Sequence, residues 1–209
     1  GLTIYISLFF WEFSQAQLAM IAGVSAAASL VGSVLAPQIA RRLGKKGAAL
    51  LGYFLGALGE LTPYALRLLN LMPPNGDDAV FQILAIGRFV NVCSWSVTGI
   101  CISAMIADVV EDNAVRTGQR SEGFLFAADS LFKKIASAGG PALAGLILAA
   151  AQFPVGAKKG EVEPEVLLTL MMLYLPLLVA IYAASMSIMA CYNINRASHA
   201  ANLEALRRR

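Results

Sequence analysis

Long apolar stretches, separated by short polar segments, occupy most of the chain. Each approaches the roughly 20 residues that a helix needs to cross the hydrocarbon core of a membrane. The pattern predicts an all-α integral membrane protein with one partial and five complete spans. At the end of the partial span, Trp11 and Phe13 suit the belt of aromatic residues at a membrane–water interface. The predicted spans are 1–13, 15–41, 47–69, 79–109, 123–153 and 166–192, and a basic tail follows over 193–209.

Composition strengthens this prediction and argues against other classes of protein. Of the 209 residues, 58% are hydrophobic and 14% are charged, whereas soluble domains have about 45–50% and about 25%. The net charge of +3 is small, and the basic residues cluster beside apolar stretches, so no nucleic-acid partner is expected. The cysteines lack metal-ligand spacing, and no nucleophile is placed with a base. We therefore expect neither a metal, another cofactor nor an enzyme.

The placement of basic residues predicts the orientation. The loop at 41–47, the connector at 108–122 and the tail fall on one side of the membrane, and the other side has only Lys158 and Lys159. By the positive-inside rule the first side is cytoplasmic, so the C-terminus is expected inside a plasma (inner) membrane. The chain starts at Gly1, within an apolar run. We therefore expect the first helix to be cut and further helices to precede it.

Charged residues inside the predicted spans are candidates for function, because each costs at least ~2.5–3.5 kcal/mol in a membrane. Glu60 and Arg88 lie in neighbouring spans and could pair; a structural ion pair is favoured, and a role in a transport path is the alternative. Asp129 and Lys133 are four residues apart and share a helix face. Lys134 is rotated by about 100° from Lys133 around the helix axis. It lies roughly 18 Å from the start of the span. A functional role is favoured there over a buried structural pair.

Two further polar groups are weaker candidates. Trp95 stands among an amide and hydroxyls in the fourth span, which suits stacking of a sugar ring, although packing or an interfacial position is the alternative. The charged connector suits a cytoplasmic gate of ion pairs, although an ordinary solvated loop is the alternative. The gate candidates are Asp108, Glu111, Asp112, Arg116 and Arg120, with Arg41 and Arg42 on the same side.

Small residues recur at helix-contact spacing in two spans, where they let helix backbones approach closely. Gly52, Gly56 and Gly59 do so in the third span. The fifth span has a second group, formed by Gly139, Gly140, Ala144 and Gly145. Plain packing is the favoured interpretation, and surfaces that rock against another bundle are the alternative.

Two stretches resemble a known family. The segment ADVVEDNAVRTGQRSEGFLFAADSLFKKIASAGGPALAGLIL (107–148) resembles the loop between helices ten and eleven, with helix eleven, of the glycoside–pentoside–hexuronide:cation symporters. These are melibiose-permease-like transporters of the major facilitator superfamily. The segment PQIARRLGKKG (37–47) is similar to their loop between helices eight and nine. The resemblance implies that the chain is the six-helix C-terminal bundle, with the first helix truncated.

The resemblance also implies roles for individual residues. Lys134 matches the family's helix-eleven lysine, which is implicated in substrate binding and cation coupling. Asp129 and Ser130 match a polar pair that faces the sugar, although an acid stands here where melibiose-type members have an amide. Lys133 has no counterpart, and Trp95 lies about one turn from the family's helix-ten tryptophan. The family's cation site and main sugar-binding acids belong to the N-terminal helices.

The expected function is therefore Na⁺- or H⁺-coupled symport of a sugar or glycoside by alternating access. A symporter of lysolipids or other organic solutes is the first alternative, and a non-transporting membrane scaffold is the second. The expected partners are the sugar substrate, membrane lipid and the missing N-terminal six-helix half.

Overall fold

The computed structural model describes residues 2–117 and 122–193, and all regular structure in these ranges is helical. Helix α1 (Leu2–Tyr5) continues as a π-helical turn over Ile6–Phe10. The longer helices are α2 (Gln15–Leu68), α3 (Asp78–Thr117), α4 (Glu122–Ala150) and α5 (Pro164–Ala190). These four are long and apolar enough to cross a membrane. Arg120 and the tail from 194 onward lie outside the described residues.

Helix α2 joins two predicted spans in one element. Ser14 begins it with a reciprocal cap, because its hydroxyl accepts from the Gln17 amide at 3.2 Å and its own amide donates to the Gln17 side chain at 2.9 Å. Gly44 interrupts the helix with φ 77° and ψ 162°, a conformation that glycine adopts without steric cost. The predicted break between these spans falls at Gly44, which divides α2 into a first arm (15–43) and a second arm (45–68), and the residues on either side of it within 41–47 are helical rather than a loop.

Helix α3 extends beyond its predicted end at 109. Its 40 residues span about 60 Å, twice the roughly 30 Å hydrocarbon core, so the helix is longer than one perpendicular crossing requires. Residues 108–117 of the predicted connector are helical rather than a loop. The polar residues there repeat at helical intervals, and Asp112 lies 3.8 Å from Arg116 one turn later.

Both arms of α2 pack closely against α3. A methyl group at Gly59 would lie 2.6 Å from the carbonyl oxygen of Gly87, and one at Gly32 would collide with the Cys93 carbonyl. Gly52 and Gly56 meet α3 at Thr98 and Ser94. The prediction that the third-span glycines serve packing is confirmed.

The fully buried residues of helix α4 lie near its end. Its buried residues are Ala144 and Ile147, and Ala151 follows them in the core. A methyl group at Gly139, or at Gly145, would meet nothing within 4 Å among the described residues. The predicted contact surface of the fifth span therefore finds no neighbour in this part of the chain, apart from Ala144.

The count of six spans is not confirmed, because two of the predicted spans form one element and the first covers only residues 2–10. The interfacial belt suggested for the end of that first segment stays a prediction, and the two residues proposed for it are covered by other parts of the chain. Trp11 and Phe13 are 3% and 6% exposed and join the core formed with Tyr64, Val80 and Leu170.

Candidate functional site

The polar stripe of α4 consists of Asp129, Ser130, Lys133 and Lys134 on a stretch whose other side chains are apolar. Lys133 Nζ donates to Asp129 Oδ2 at 2.6 Å, which confirms the predicted pairing. The Lys133 side chain is 66% exposed, and Ser130 and Lys134 are exposed as well. Within the described chain the pair is thus not buried between helices. The substrate-binding role of these residues stays a prediction.

Trp95 belongs to a polar network between α3 and α5. Its ring is 48% exposed, and its Nε1 donates to Tyr182 Oη at 3.4 Å. Buried Asn91 donates to the same hydroxyl and to the Gly56 carbonyl, both at 2.9 Å. Tyr53 packs edge-on against the indole at 5.9 Å. Trp95 is thus about half exposed while contacts from α2 and α5 hold its ring in place.

The hydroxyls predicted to surround Trp95 do not line an open platform. Ser94 and Thr98 are buried in the contact between α2 and α3, where Thr98 Oγ1 donates to the Ala49 carbonyl at 3.4 Å. Sequence reasoning missed Tyr182 and Tyr53, which are the aromatic neighbours of Trp95. A tyrosine within an otherwise apolar span was the available signal, because a buried hydroxyl needs a partner.

An end cluster joins α2, α3 and the end of α5. Lys45 Nζ pairs with Asp108 Oδ1 at 2.6 Å, and Tyr192 Oη donates to Asp108 Oδ2 at 3.2 Å. Lys46 Nζ donates to the carbonyls of Ala190 and Tyr192 at 2.7 and 2.8 Å. Burial, and then the adjacent Asp108 carboxylate, raise the pKa of the Tyr192 hydroxyl. Asp108 on the end of α3 thus pairs with Lys45, one of the basic residues at 41–46.

The other gate candidates lie around this cluster. Glu111 and Asp112 follow Asp108 within about one turn of α3. Arg41 and Arg42 are exposed at the end of the first arm of α2, beside Gly44. Sequence reasoning missed Tyr192, which holds this end together with Lys45 and Lys46. That the group opens and closes as a gate stays a prediction.

The predicted ion pair between Glu60 and Arg88 is not formed. Arg88 Nε donates to Ser25 Oγ on the first arm of α2 at 3.1 Å. Glu60 Oε1 instead accepts from Tyr174 Oη of α5 at 3.4 Å. The two charged side chains line one cavity of about 230 Å³. Each forms a hydrogen bond with a hydroxyl on another helix instead of an ion pair with the other.

The loop before α3 closes over the first segment. The Arg67 guanidinium lies 5.0 Å from the Trp11 ring centroid and donates to the Pro73 carbonyl at 2.9 Å. It also donates to the Asn75 side chain, whose amide donates to the Phe10 carbonyl at 2.9 Å.

Among residues 2–117 and 122–193, no group of three or more His, Cys, Asp or Glu side chains could hold a metal ion.

Membrane-length helices with an embedded charged stripe point to a transporter, and comparison with known proteins decides the family. The sequence profile of the MFS/sugar transport proteins matches residues 1–196. The chain belongs to this family. Its members are multi-pass membrane transporters and not enzymes, so the resemblance drawn from residues 107–148 and 37–47 is confirmed at the level of the family.

Two curated relatives show how far the similarity extends. A protein of Escherichia coli (strain K12), provisionally named a 2,3-dihydroxypropane-1-sulfonate exporter, is 32% identical over 112 residues, which cover 52% of this chain and 21% of the relative. The isoprimeverose transporter of Lactiplantibacillus pentosus is 28% identical over 149 residues, which cover 69% of this chain and 29% of the relative. The chain thus matches less than a third of either relative's length. No solved structure matches it significantly.

Proposed function

We propose that this chain forms one half of a cation-coupled symporter that carries a sugar or glycoside across the membrane by alternating access. The polar stripe of α4 supports the proposal most directly. It places two lysines and an aspartate in an apolar helix, on faces that the described chain leaves uncovered. Charged residues inside membrane helices face the bundle interior or a water-filled path, so the bare faces suit a central cavity.

The architecture supports a six-helix half. The segment 2–10, the two arms of α2, and helices α3, α4 and α5 make six helical segments. A second six-helix half would supply the partner that α4 lacks and most of the cation site. The basic residues near Gly44 and beyond α3 support a cytoplasmic position for the end cluster and the C-terminus in a plasma membrane.

Three residues of the stripe receive roles. Lys134 and Ser130 donate to substrate hydroxyls, and Lys134 also couples substrate to cation. Asp129 neutralises Lys133 and orients it. Trp95 contributes its half-exposed ring to sugar stacking. Ion pairs around Asp108, Glu111, Asp112, Arg116 and Arg120, with Arg41 and Arg42, close the cytoplasmic side in one state and separate in the other.

The test is uptake of radiolabelled sugars by the complete transporter in proteoliposomes, with imposed Na⁺ or H⁺ gradients. In Lys134→Ala, loss of a charge-assisted hydrogen bond worth about 1.5–3 kcal/mol predicts roughly ten- to hundredfold slower uptake at limiting substrate. Lys159→Ala, in the exposed loop before α5, is the matched control and should transport normally. An unchanged rate in Lys134→Ala would overturn the role of that lysine, and uptake independent of both gradients would overturn symport.

An organic anion is the second candidate cargo. The stripe carries two lysines and one aspartate, which leaves one uncompensated positive charge. The relative provisionally named a sulfonate exporter is similar over half of this chain. Competition of sugar uptake by 2,3-dihydroxypropane-1-sulfonate, but not by an uncharged triol, would favour the anion over a neutral sugar.

A further inference from the structure

A second cavity lies away from the stripe of α4. It is a partly open cavity between the first segment, both arms of α2 and α3, and has a volume of about 230 Å³. Its lining is mainly apolar, and the residues with polar groups are Thr3, Ser7, Trp11, Ser25, Glu60, Tyr64 and Arg88. None of the four stripe residues lines it, so the two sites are separate.

The two charged groups of this cavity are incompletely satisfied by protein. Arg88 carries five N–H donors, of which only Nε has an acceptor among the described residues. Glu60 has a single long contact, through Oε1 to Tyr174, and its second oxygen has no donor in the described chain. A structural ion pair would satisfy both groups at once, and these two residues do not form one. Their remaining capacity is available to a molecule in the cavity.

Trp11 provides an independent sign of a missing partner. Its side chain is 3% exposed, and its indole N–H has no hydrogen-bond partner in the described residues. Buried donors are rarely left unpaired, and one in a native protein calls for an explanation. Trp11 lines the same cavity as Glu60 and Arg88, with Tyr64 beside its ring at 5.7 Å between centroids, so its indole N–H, the carboxylate and the guanidinium border one space.

We infer that this cavity binds a neutral, polyhydroxylated solute about one sugar ring in size. Glu60 would accept from neighbouring hydroxyls, while the guanidinium of Arg88 and the indole N–H of Trp11 would donate to hydroxyl or ring oxygens. Because the carboxylate and guanidinium cancel, a neutral ligand fits better than an anion, which Glu60 would repel. The volume is slightly below the roughly 300–1,000 Å³ of typical small-molecule pockets, which suits one ring. The inference rests on the proposed function for its ligand class.

Protection of an introduced cysteine in the complete transporter tests this inference. Ser7→Cys places a thiol in the cavity lining, and peptide mass spectrometry measures its modification by N-ethylmaleimide with D-glucose, D-xylose or the anion D-gluconate present. Ser33→Cys, on an exposed face of α2 outside the lining, is the matched control. The neutral sugars should slow modification at position 7 severalfold and leave position 33 unchanged, and D-gluconate should protect neither.

Substitutions in the same Ser7→Cys background assign the ligand contacts. Glu60→Gln should raise the sugar concentration for half-protection at least about tenfold, because a charged acceptor is lost. Arg88→Lys keeps the charge, loses the planar fork and should raise it too; if one variant does not fold, the other carries the test. Glu165→Gln, at the exposed start of α5, is the control for Glu60→Gln.

The outcomes separate this inference from the proposed function. Sugar uptake without protection of position 7 would overturn the cavity site and leave symport standing. Protection by D-gluconate alone would overturn the neutral class, and protection unaffected by both substitutions would overturn the contacts. Uptake of no sugar, with protection intact, would overturn symport and support the cavity as a binding site.

Discussion

The contact between α2 and α3 is closely packed, whereas the middle of α4 is uncovered by the described chain. In both places glycines recur at helix-contact spacing. At Gly59 an added methyl group would lie 2.6 Å from the Gly87 carbonyl, whereas at Gly139 it would meet nothing within 4 Å of the described chain. The spacing of small residues thus shows where a backbone can be approached, and it does not show which partner approaches. We attribute the bare face of α4 to the central cavity that the proposed second half would complete.

Disrupting the end cluster should cause the largest loss of stability among the changes made where α2 and α3 pack together. In Asp108→Ala, Lys45 loses its carboxylate and Tyr192 its acceptor. Removing one partner of a buried ion pair typically costs about 3–5 kcal/mol, and the lower end is expected because the Lys45 side chain is 36% exposed. Thermal unfolding of the purified transporter measures the change. Asp112→Ala, at a more exposed carboxylate on the next turn, is the control, and equal losses in both would contradict a special role for the cluster.

The glycine comparison gives the next effect, and the two substitutions should differ in sign. Gly59→Ala forces the backbones of α2 and α3 apart and should destabilise the protein by about 1–3 kcal/mol, as overpacking does. Gly139→Ala meets no such contact and gains up to about 1 kcal/mol of helix propensity. Thermal unfolding of both variants checks this. Destabilisation by Gly139→Ala as severe as that by Gly59→Ala would show that the second half packs on that face of α4.

Local spacing predicted the helical class, the packing of the third-span glycines and the Asp129–Lys133 pair, because each depends on residues within about one or two helical turns. The partners of Asp108 lie 63 and 84 positions away in the chain, and nothing local selects Lys45 or Tyr192 from other polar residues. Glu60 and Arg88 were wrongly paired for the same reason. Hydroxyls from the first arm of α2 and from α5, distant in sequence, reach them instead.

A smaller effect is expected at Tyr192, where the end cluster loses one hydrogen bond. Tyr192→Phe should cost about 0.5–1.5 kcal/mol near neutral pH. Because burial and Asp108 raise the pKa of this hydroxyl in the folded protein, its contribution is complete below the unfolded value of about 10 and is lost as pH rises through the folded value. Unfolding free energies measured from pH 8 upward should therefore converge for wild type and variant. A difference that stays constant throughout would contradict the raised pKa.

The smallest stability effect should come from the charged pair of α4, which makes the contrast between the two regions sharpest. An exposed ion pair four residues apart on a helix is worth about 0.3–0.5 kcal/mol, so removing Asp129 and Lys133 together, as Asp129→Asn with Lys133→Gln, should barely change thermal unfolding. Removing Asp129 alone leaves two adjacent lysines without their acid and should slow sugar uptake more than the double substitution does. These two results together would show that the pair acts on transport and not on folding of the bundle. A large loss of stability in the double variant would show instead that the second half buries this pair, and that α4 is held in the transporter as firmly as α3.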